Sequence, residues 1–180
     1  MKRTILCLCL LGMLTVIGCG HKVDKESLIS SIKQSEQSLE LDITDPAGLD
    51  SNGNGLIALY RQYYTQFPQD SLAPVYMQRA ADINISLGNP GDAIAILDSI
   101  ITLHPDYDDV AGCWFLKGYA FETAENYDSA RVAYTYFIDN YPDHYLAEDT
   151  RRTLQYLGLS PEEMFEAIMA GASDANLVME

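Results

Sequence analysis

Residues 134–142 read Tyr134-Thr135-Tyr136-Phe137-Ile138-Asp139-Asn140-Tyr141-Pro142, and two segments of the same design lie upstream. All three end in proline, at Pro68, Pro105 and Pro142, with an identical spacing of 37 residues. The larger side chains before each proline recur at the intervals of one α-helix face. Because proline disfavours helical backbone at the residue before it, each proline ends its helix. The equivalent positions are Tyr60, Tyr63, Tyr64 and Phe67, then Leu97, Ile100, Ile101 and His104, then Tyr134, Phe137, Ile138 and Tyr141.

A second helix is expected before two of these segments. Polar turns at residues 87–92 and 124–128 supply Gly, Asn and Asp, which suit helix ends and helix starts. Ala93 and Ala130 follow at the same offset, and small residues let antiparallel helices approach closely. The pattern therefore predicts helical hairpins. The equivalent positions of the preceding helices are Met77, Ala80, Ala81 and Asn84, and Trp114, Lys117, Gly118 and Phe121.

The hairpin that carries Trp114, Gly118, Ala130, Phe137 and Pro142 resembles a tetratricopeptide repeat (TPR). The resemblance covers residues 56–157. It implies an all-α fold, namely a short right-handed α-α superhelix of about three helical hairpins plus a C-terminal capping helix. The usual TPR period is about 34 residues, and the extra residues fit a loop at 106–110. Residues 137–147 are similar to TPR domains of bacterial envelope proteins, of the β-barrel assembly machinery lipoprotein and Tol-Pal coordinator type.

Irregular segments flank these repeats. Residues 26–41 predict one helix, and a long loop over residues 42–55 joins it to a helix at 56–67. A helix over 145–157 is expected to stop at Gly158. Ser160-Pro161-Glu162-Glu163 forms a capping box that opens a closing helix to about Ala170. The predicted helical domain is therefore 26–170, followed by a flexible tail at 171–180.

The N-terminus has the pattern of an export signal. Lys2 and Arg3 precede an uncharged apolar run at residues 5–17, which is shorter than the roughly 20 residues of a spanning helix. Val16-Ile17-Gly18-Cys19 resembles the lipobox of bacterial lipoproteins, in which the cysteine is acylated and begins the mature chain. The resemblance implies a signal peptide at 1–18 and a lipidated Cys19 with a tether at 19–25. The alternatives are a signal peptide cut elsewhere and a retained anchor.

The same resemblance implies a location in the bacterial cell envelope. Gly20 stands where some lipoproteins carry the aspartate that retains them in the inner membrane, so we expect the outer membrane, facing the periplasm. The chain has 11 basic and 26 acidic residues and a formal charge of −15, which becomes −17 when Lys2 and Arg3 leave with the signal. Such a charge disfavours nucleic acid. Expected partners are protein or peptide segments with neutral or basic surfaces, and the membrane through the N-terminal lipid.

The sequence contains no hydrolase, metalloprotease or phosphate-loop motif, so we expect a non-enzymatic protein without cofactor or metal. Asp50-Ser51-Asn52-Gly53-Asn54-Gly55 resembles the first part of an EF-hand calcium loop, but Arg61 stands where the bidentate acid belongs. We interpret this segment as a polar loop and leave cation binding open. His104 is interpreted as a packed ring, and Cys113 as a buried thiol rather than an intermolecular disulfide.

The resemblance also implies a binding surface, because the first helix of each TPR hairpin lines a concave groove. Phe115 and Tyr119, one helical turn apart, are the predicted aromatic anchors. The alternative is that the N-terminal helix or neighbouring helices fill this groove. The favoured function is a scaffold or adaptor, and a surface nutrient- or glycan-binding lipoprotein and an enzyme are the rivals. The predicted groove residues are Val75, Gln78, Asp82, Phe115, Tyr119, Glu122, Asp149 and Arg152.

Overall fold

The computed structural model describes residues 23–41 and 46–177, which contain eight α-helices and no strand. The predicted signal peptide, the lipidated Cys19, most of the tether and the last three residues of the tail lie outside this range. The helices are α1 (Lys25–Leu41), α2 (Pro46–Gln66), α3 (Leu72–Ser86), α4 (Pro90–Leu103), α5 (Val110–Thr123), α6 (Tyr127–Asn140), α7 (Ala147–Tyr156) and α8 (Pro161–Leu177).

The helices stack in chain order. Each helix from α1 to α6 packs against the next one, and α3 also contacts α5. The described chain therefore consists of three helical hairpins, α1–α2, α3–α4 and α5–α6, followed by α7 and α8. This arrangement confirms the predicted all-α, TPR-like superhelix of about three hairpins with a helical C-terminal end.

The 37-residue spacing continues into the core. Tyr60, Leu97 and Tyr134 occupy equivalent positions on the second helix of each hairpin, and all three are almost completely buried. Tyr63, Ile100 and Phe137 form a second equivalent set with the same burial. Two of the tyrosines place their hydroxyl groups on glutamates. The Tyr60 hydroxyl donates to Glu36 and the Tyr134 hydroxyl donates to Glu122, both at 2.7 Å.

The third hairpin is held by direct contact between a glycine and a ring. A methyl group added at Gly118 on α5 would lie 2.4 Å from Cδ1 of Tyr134 on α6. Tyr134 is 1% exposed, so its ring lies in the packed interior. Only glycine therefore allows α5 and α6 to approach as closely as they do.

Side chains cap some of the described helices at their N-termini. Asp109 accepts the Gly112 N–H at the start of α5. The predicted capping box is confirmed, because Glu163 accepts the Ser160 N–H while the Ser160 hydroxyl accepts the Glu163 N–H. These bonds lower the pKa of Glu163. Each cap satisfies backbone groups that the helix itself leaves without partners.

The predicted loop is wrong over residues 46–55, because α2 begins at Pro46 and residues 50–55 are helical, whereas residues 42–45 lie outside the described range. Gly53 is buried, and a methyl group added there would lie 3.2 Å from Ile83 and 3.3 Å from Leu87. The Asn54 amide donates to the Asp50 carbonyl one turn earlier. Packing on α3 thus overrides the loop propensity of glycine and asparagine. The segment that resembles a calcium loop is helical and does not form such a loop.

The C-terminal helix is longer than expected. α8 continues to Leu177, beyond the predicted end at Ala170, so most of the expected tail is helical. No helix among the described residues is long and apolar enough to cross a membrane.

Two smaller predictions are confirmed. The His104 ring packs edge-on against the ring of Tyr64, with ring centroids 5.7 Å apart. Cys113 is free and completely buried, and burial raises its pKa to about 12. Both side chains are therefore parts of the packed interior.

Replacing Gly55 with alanine tests whether residues 50–55 are helical. A methyl group at Gly55 meets nothing within 4 Å. Alanine in a helix interior is more stable than glycine, so Gly55→Ala should raise the free energy of unfolding by about 0.5–1 kcal/mol in urea titrations. The matched control is Gly88→Ala, where a φ of +75° should make alanine destabilising by about 1 kcal/mol. A loss of stability at Gly55 would contradict the helix.

Candidate functional site

An open cavity of about 390 Å³ lies between α3, α5 and the residues at the start of α7. We call it the α3–α5–α7 groove. Four of the eight predicted groove residues, Val75, Gln78, Asp82 and Phe115, come together in its lining. The remaining lining residues are Arg79, Tyr107, Asp109, Gly112, Leu116, Tyr145 and Leu146.

A chain of hydrogen bonds joins the lining residues of α3 and α5. The Tyr107 hydroxyl donates to Oε1 of Gln78 at 2.6 Å, and Nε2 of Gln78 donates to Oδ2 of Asp109 at 2.7 Å. Asp109 in turn caps α5 by accepting the Gly112 N–H. Burial and the nearby Asp109 charge raise the pKa of Tyr107 to about 12. Gln78 therefore fixes the position of α5 relative to α3, which sets the width of the groove.

Asp82 lies one helical turn after Gln78 and differs from its acidic neighbours. It is exposed, its carboxylate makes no hydrogen bond or ion pair with any residue in the described ranges, and partial loss of surrounding water raises its pKa. Arg79 is the one basic side chain among the described residues of the lining, and it pairs with Glu36 on α1. The groove therefore keeps an uncompensated negative charge at Asp82.

The aromatic rings divide into packed and exposed ones. Phe115 is partly buried and packs against Tyr134 and Phe137, with ring centroids 5.9 and 5.8 Å away. Tyr119 is 45% exposed, and Tyr145 is 82% exposed. Phe115 thus holds α5 against α6 while it lines the groove, whereas the rings of Tyr119 and Tyr145 are exposed.

Tyr145 is one of the seven lining residues that the predicted groove set did not contain. Tyr145 was predicted to be the first residue of a helix over 145–157 and was not assigned to the groove. In the structure it precedes α7 and lies in the turn after Pro142, with its ring centroid 4.5 Å from that of His144. Its position after the repeat-ending proline is the only signal that could have indicated a role.

The other predicted groove residues lie elsewhere. Glu122 and Arg152 line a second cavity of about 660 Å³ between α5, α7 and the start of α8. Glu122 already accepts the Tyr134 hydroxyl, and Arg152 pairs with Asp149 at 3.3 Å on the exposed face of α7. Tyr119 and Asp149 line neither cavity. The predicted set of eight therefore does not form one continuous site.

The N-terminal helix does not line the groove. α1 packs against α2, and Lys25 and Glu36 tie it to Asp70 and Arg79 at either end. No residue of α1 is among the described residues that line the cavity. Among the residues that the structure describes, no group of three or more His, Cys, Asp or Glu side chains is placed to hold a metal ion.

Residues 113–144 match the family model described as "Tetratricopeptide repeat". This stretch of the chain is therefore similar to a single tetratricopeptide repeat. The matched residues extend from Cys113 on α5 to His144 after α6, so they include the Gly118–Tyr134 contact. No curated protein matches the sequence. TPR repeats generally mediate binding between proteins and are typically non-catalytic.

High pH tests the burial of the Tyr107 hydroxyl beside Asp109. Folding holds the pKa of Tyr107 at about 12, above the value near 10 of an unfolded chain. The resulting contribution to the free energy of unfolding is complete below about pH 10. It is lost as pH rises towards 12, by about 1 kcal/mol or less per pH unit. In urea titrations from about pH 9 to about pH 12, the free energy of unfolding of Tyr107→Phe should fall less steeply with pH than that of the wild-type protein.

Tyr145→Phe is the matched control, because the Tyr145 hydroxyl makes no hydrogen bond among the described residues. Its free energy of unfolding should change with pH as that of the wild-type protein does. Equal slopes for the wild-type protein and both variants would contradict a role for the Tyr107 hydroxyl in the fold.

Proposed function

We propose that this protein is a non-enzymatic scaffold or adaptor that binds a segment of another protein in the α3–α5–α7 groove. Support comes from the TPR match at residues 113–144 and from the open cavity between the first helices of successive hairpins. The single observation that carries the proposal is the exposed part of the lining of this groove. It combines the exposed Tyr145 ring with an unpaired Asp82 carboxylate on the facing helix.

The proposed location rests on the N-terminal sequence. The resemblance of residues 16–19 to a lipobox supports acylation at Cys19 and attachment to the bacterial outer membrane, facing the periplasm. α1 begins at Lys25, so only a short tether would separate the domain from the bilayer. In this position the protein would hold envelope proteins together, in outer-membrane protein assembly or in envelope organisation.

The proposed partners are neutral or basic protein segments. The formal charge of −15 repels acidic surfaces at long range and favours encounters with basic ones. Exposed aromatic rings supply large contact areas at low entropic cost, as in many interfaces. An extended or helical segment could cover the groove without rearrangement of the hairpins.

Photo-crosslinking in the native cell tests this function. A benzophenone amino acid at Tyr145 should crosslink a discrete protein partner, because this side chain faces the groove. The matched control is the same amino acid at Val132, which is 71% exposed on α6 and does not line the groove. Adding Val75→Ala, which shortens a partly exposed side chain of the groove lining, should weaken the adduct at position 145 with little change in melting temperature.

Phe115→Ala is unsuitable for this purpose, since loss of its packing should cost about 3 kcal/mol of stability. Cys19→Ser should release the protein from the membrane fraction if the anchor exists. Equal adducts at positions 145 and 132, or none, would contradict the adaptor function. Glycan binding by the purified domain in that case would favour a surface glycan- or nutrient-binding lipoprotein instead.

A further inference from the structure

We propose that Asp82 pairs with a lysine or arginine side chain of the bound segment, whose neighbouring residues are apolar. This inference rests on the proposed function and specifies the chemistry that the α3–α5–α7 groove recognises. The bound segment would place its basic side chain over α3 and its apolar side chains against the walls provided by α5 and the start of α7.

The bonds of the nearby carboxylates single out Asp82. Asp109 accepts two hydrogen bonds, from Gln78 and from the Gly112 N–H. Glu36 accepts from Tyr60 and Arg79, and Glu122 accepts from Tyr134. Asp82 accepts none from the residues that the structure describes. It is therefore the carboxylate in the groove that is available to a partner.

A partner that covers the groove must compensate this charge. Burying an ionised carboxylate without a counter-charge is costly, and the group then becomes protonated instead. Loss of water already raises the pKa of Asp82 in the free protein, and an apolar cover would raise it further. A lysine or arginine keeps the carboxylate ionised and forms a charge-assisted hydrogen bond with it.

None of the described residues supplies this cation. Arg79 lies one turn before Asp82 on α3, but its guanidinium group pairs with Glu36 and lies 5.9 Å from the centre of the Tyr76 ring. These contacts hold Arg79 on the side of α3 that faces α1. The compensating charge is therefore expected from outside the described chain.

The walls of the groove explain the apolar neighbours of the basic residue. Val75, Phe115, Leu116 and Leu146 line the same cavity as Asp82, and Tyr145 adds an exposed ring at its edge. A cavity of about 390 Å³ holds a few side chains of a segment and not a folded domain. A basic residue flanked by aliphatic or aromatic residues can pair with the carboxylate while its neighbours pack against the apolar lining.

Peptide selection on the full-length lipidated protein in nanodiscs tests the inference. The probe is a phage-displayed library of random peptides about 12 residues long, a length that an open peptide groove can hold. Selected peptides are synthesised, and crosslinking from a benzophenone at Tyr145 identifies those that bind in the groove. These peptides should be enriched in lysine or arginine next to apolar residues.

Two isosteric variants then measure the contribution of the charge. Asp82→Asn should weaken binding of the selected peptides about 10-fold or more, since a hydrogen bond between charged groups is lost. The matched control is Asp139→Asn, because Asp139 is exposed on α6, makes no bond among the described residues and changes the net charge equally. It should leave affinity within about 2-fold at physiological salt, where distant charges are screened.

Replacing the peptide's basic residue with methionine completes the double-mutant cycle. This replacement should lower the affinity of the peptide for the wild-type protein and have little effect on its affinity for Asp82→Asn. Groove-bound peptides that lack basic residues, or that bind Asp82→Asn as tightly as wild type, would overturn this inference and leave the adaptor function standing. If no selected peptide crosslinks at Tyr145, the proposed function fails together with it.

Discussion

The close approach of α5 and α6 at Gly118 and Tyr134 is the constraint on which the third hairpin depends. The Tyr134 ring fills the space that a side chain at position 118 would need. Ala81 and Leu97 occupy the equivalent positions of the second hairpin, and both are completely buried. A larger residue on the second helix is thus matched by a smaller one on the first, which keeps the two hairpins similar in packing volume.

This packing determines what α5 can present on its other side. Because Gly118 and Cys113 face the interior, Tyr119 is left exposed, and Phe115 lies between the core and the groove. The Tyr107–Gln78–Asp109 hydrogen bonds then fix the start of α5 relative to α3. The groove is therefore a consequence of how two hairpins are joined. Its free carboxylate at Asp82 is the part of the lining that no described neighbour satisfies.

Much of the fold could be predicted from the sequence, because the repeat places equivalent residues at equivalent depths. Residues 50–55 could not, since their helix depends on Gly53 packing against Ile83 and Leu87, which are far away in the sequence. Half of the predicted groove set shares one cavity. Tyr145 was missed because it lies outside any periodic helix, and periodicity alone does not tell whether Phe115 packs inward or outward. The export signal and the lipidated Cys19 stay predictions.

A double-mutant cycle at positions 118 and 134 tests the central packing claim most directly. Gly118→Ala alone should lower the free energy of unfolding by about 1–3 kcal/mol, because the added methyl group overlaps the Tyr134 ring. Combining it with Tyr134→Leu recreates the Ala81–Leu97 pair of the second hairpin. The account predicts a favourable coupling energy of about 1–2 kcal/mol in urea unfolding. Additive losses, or a neutral Gly118→Ala, would contradict it.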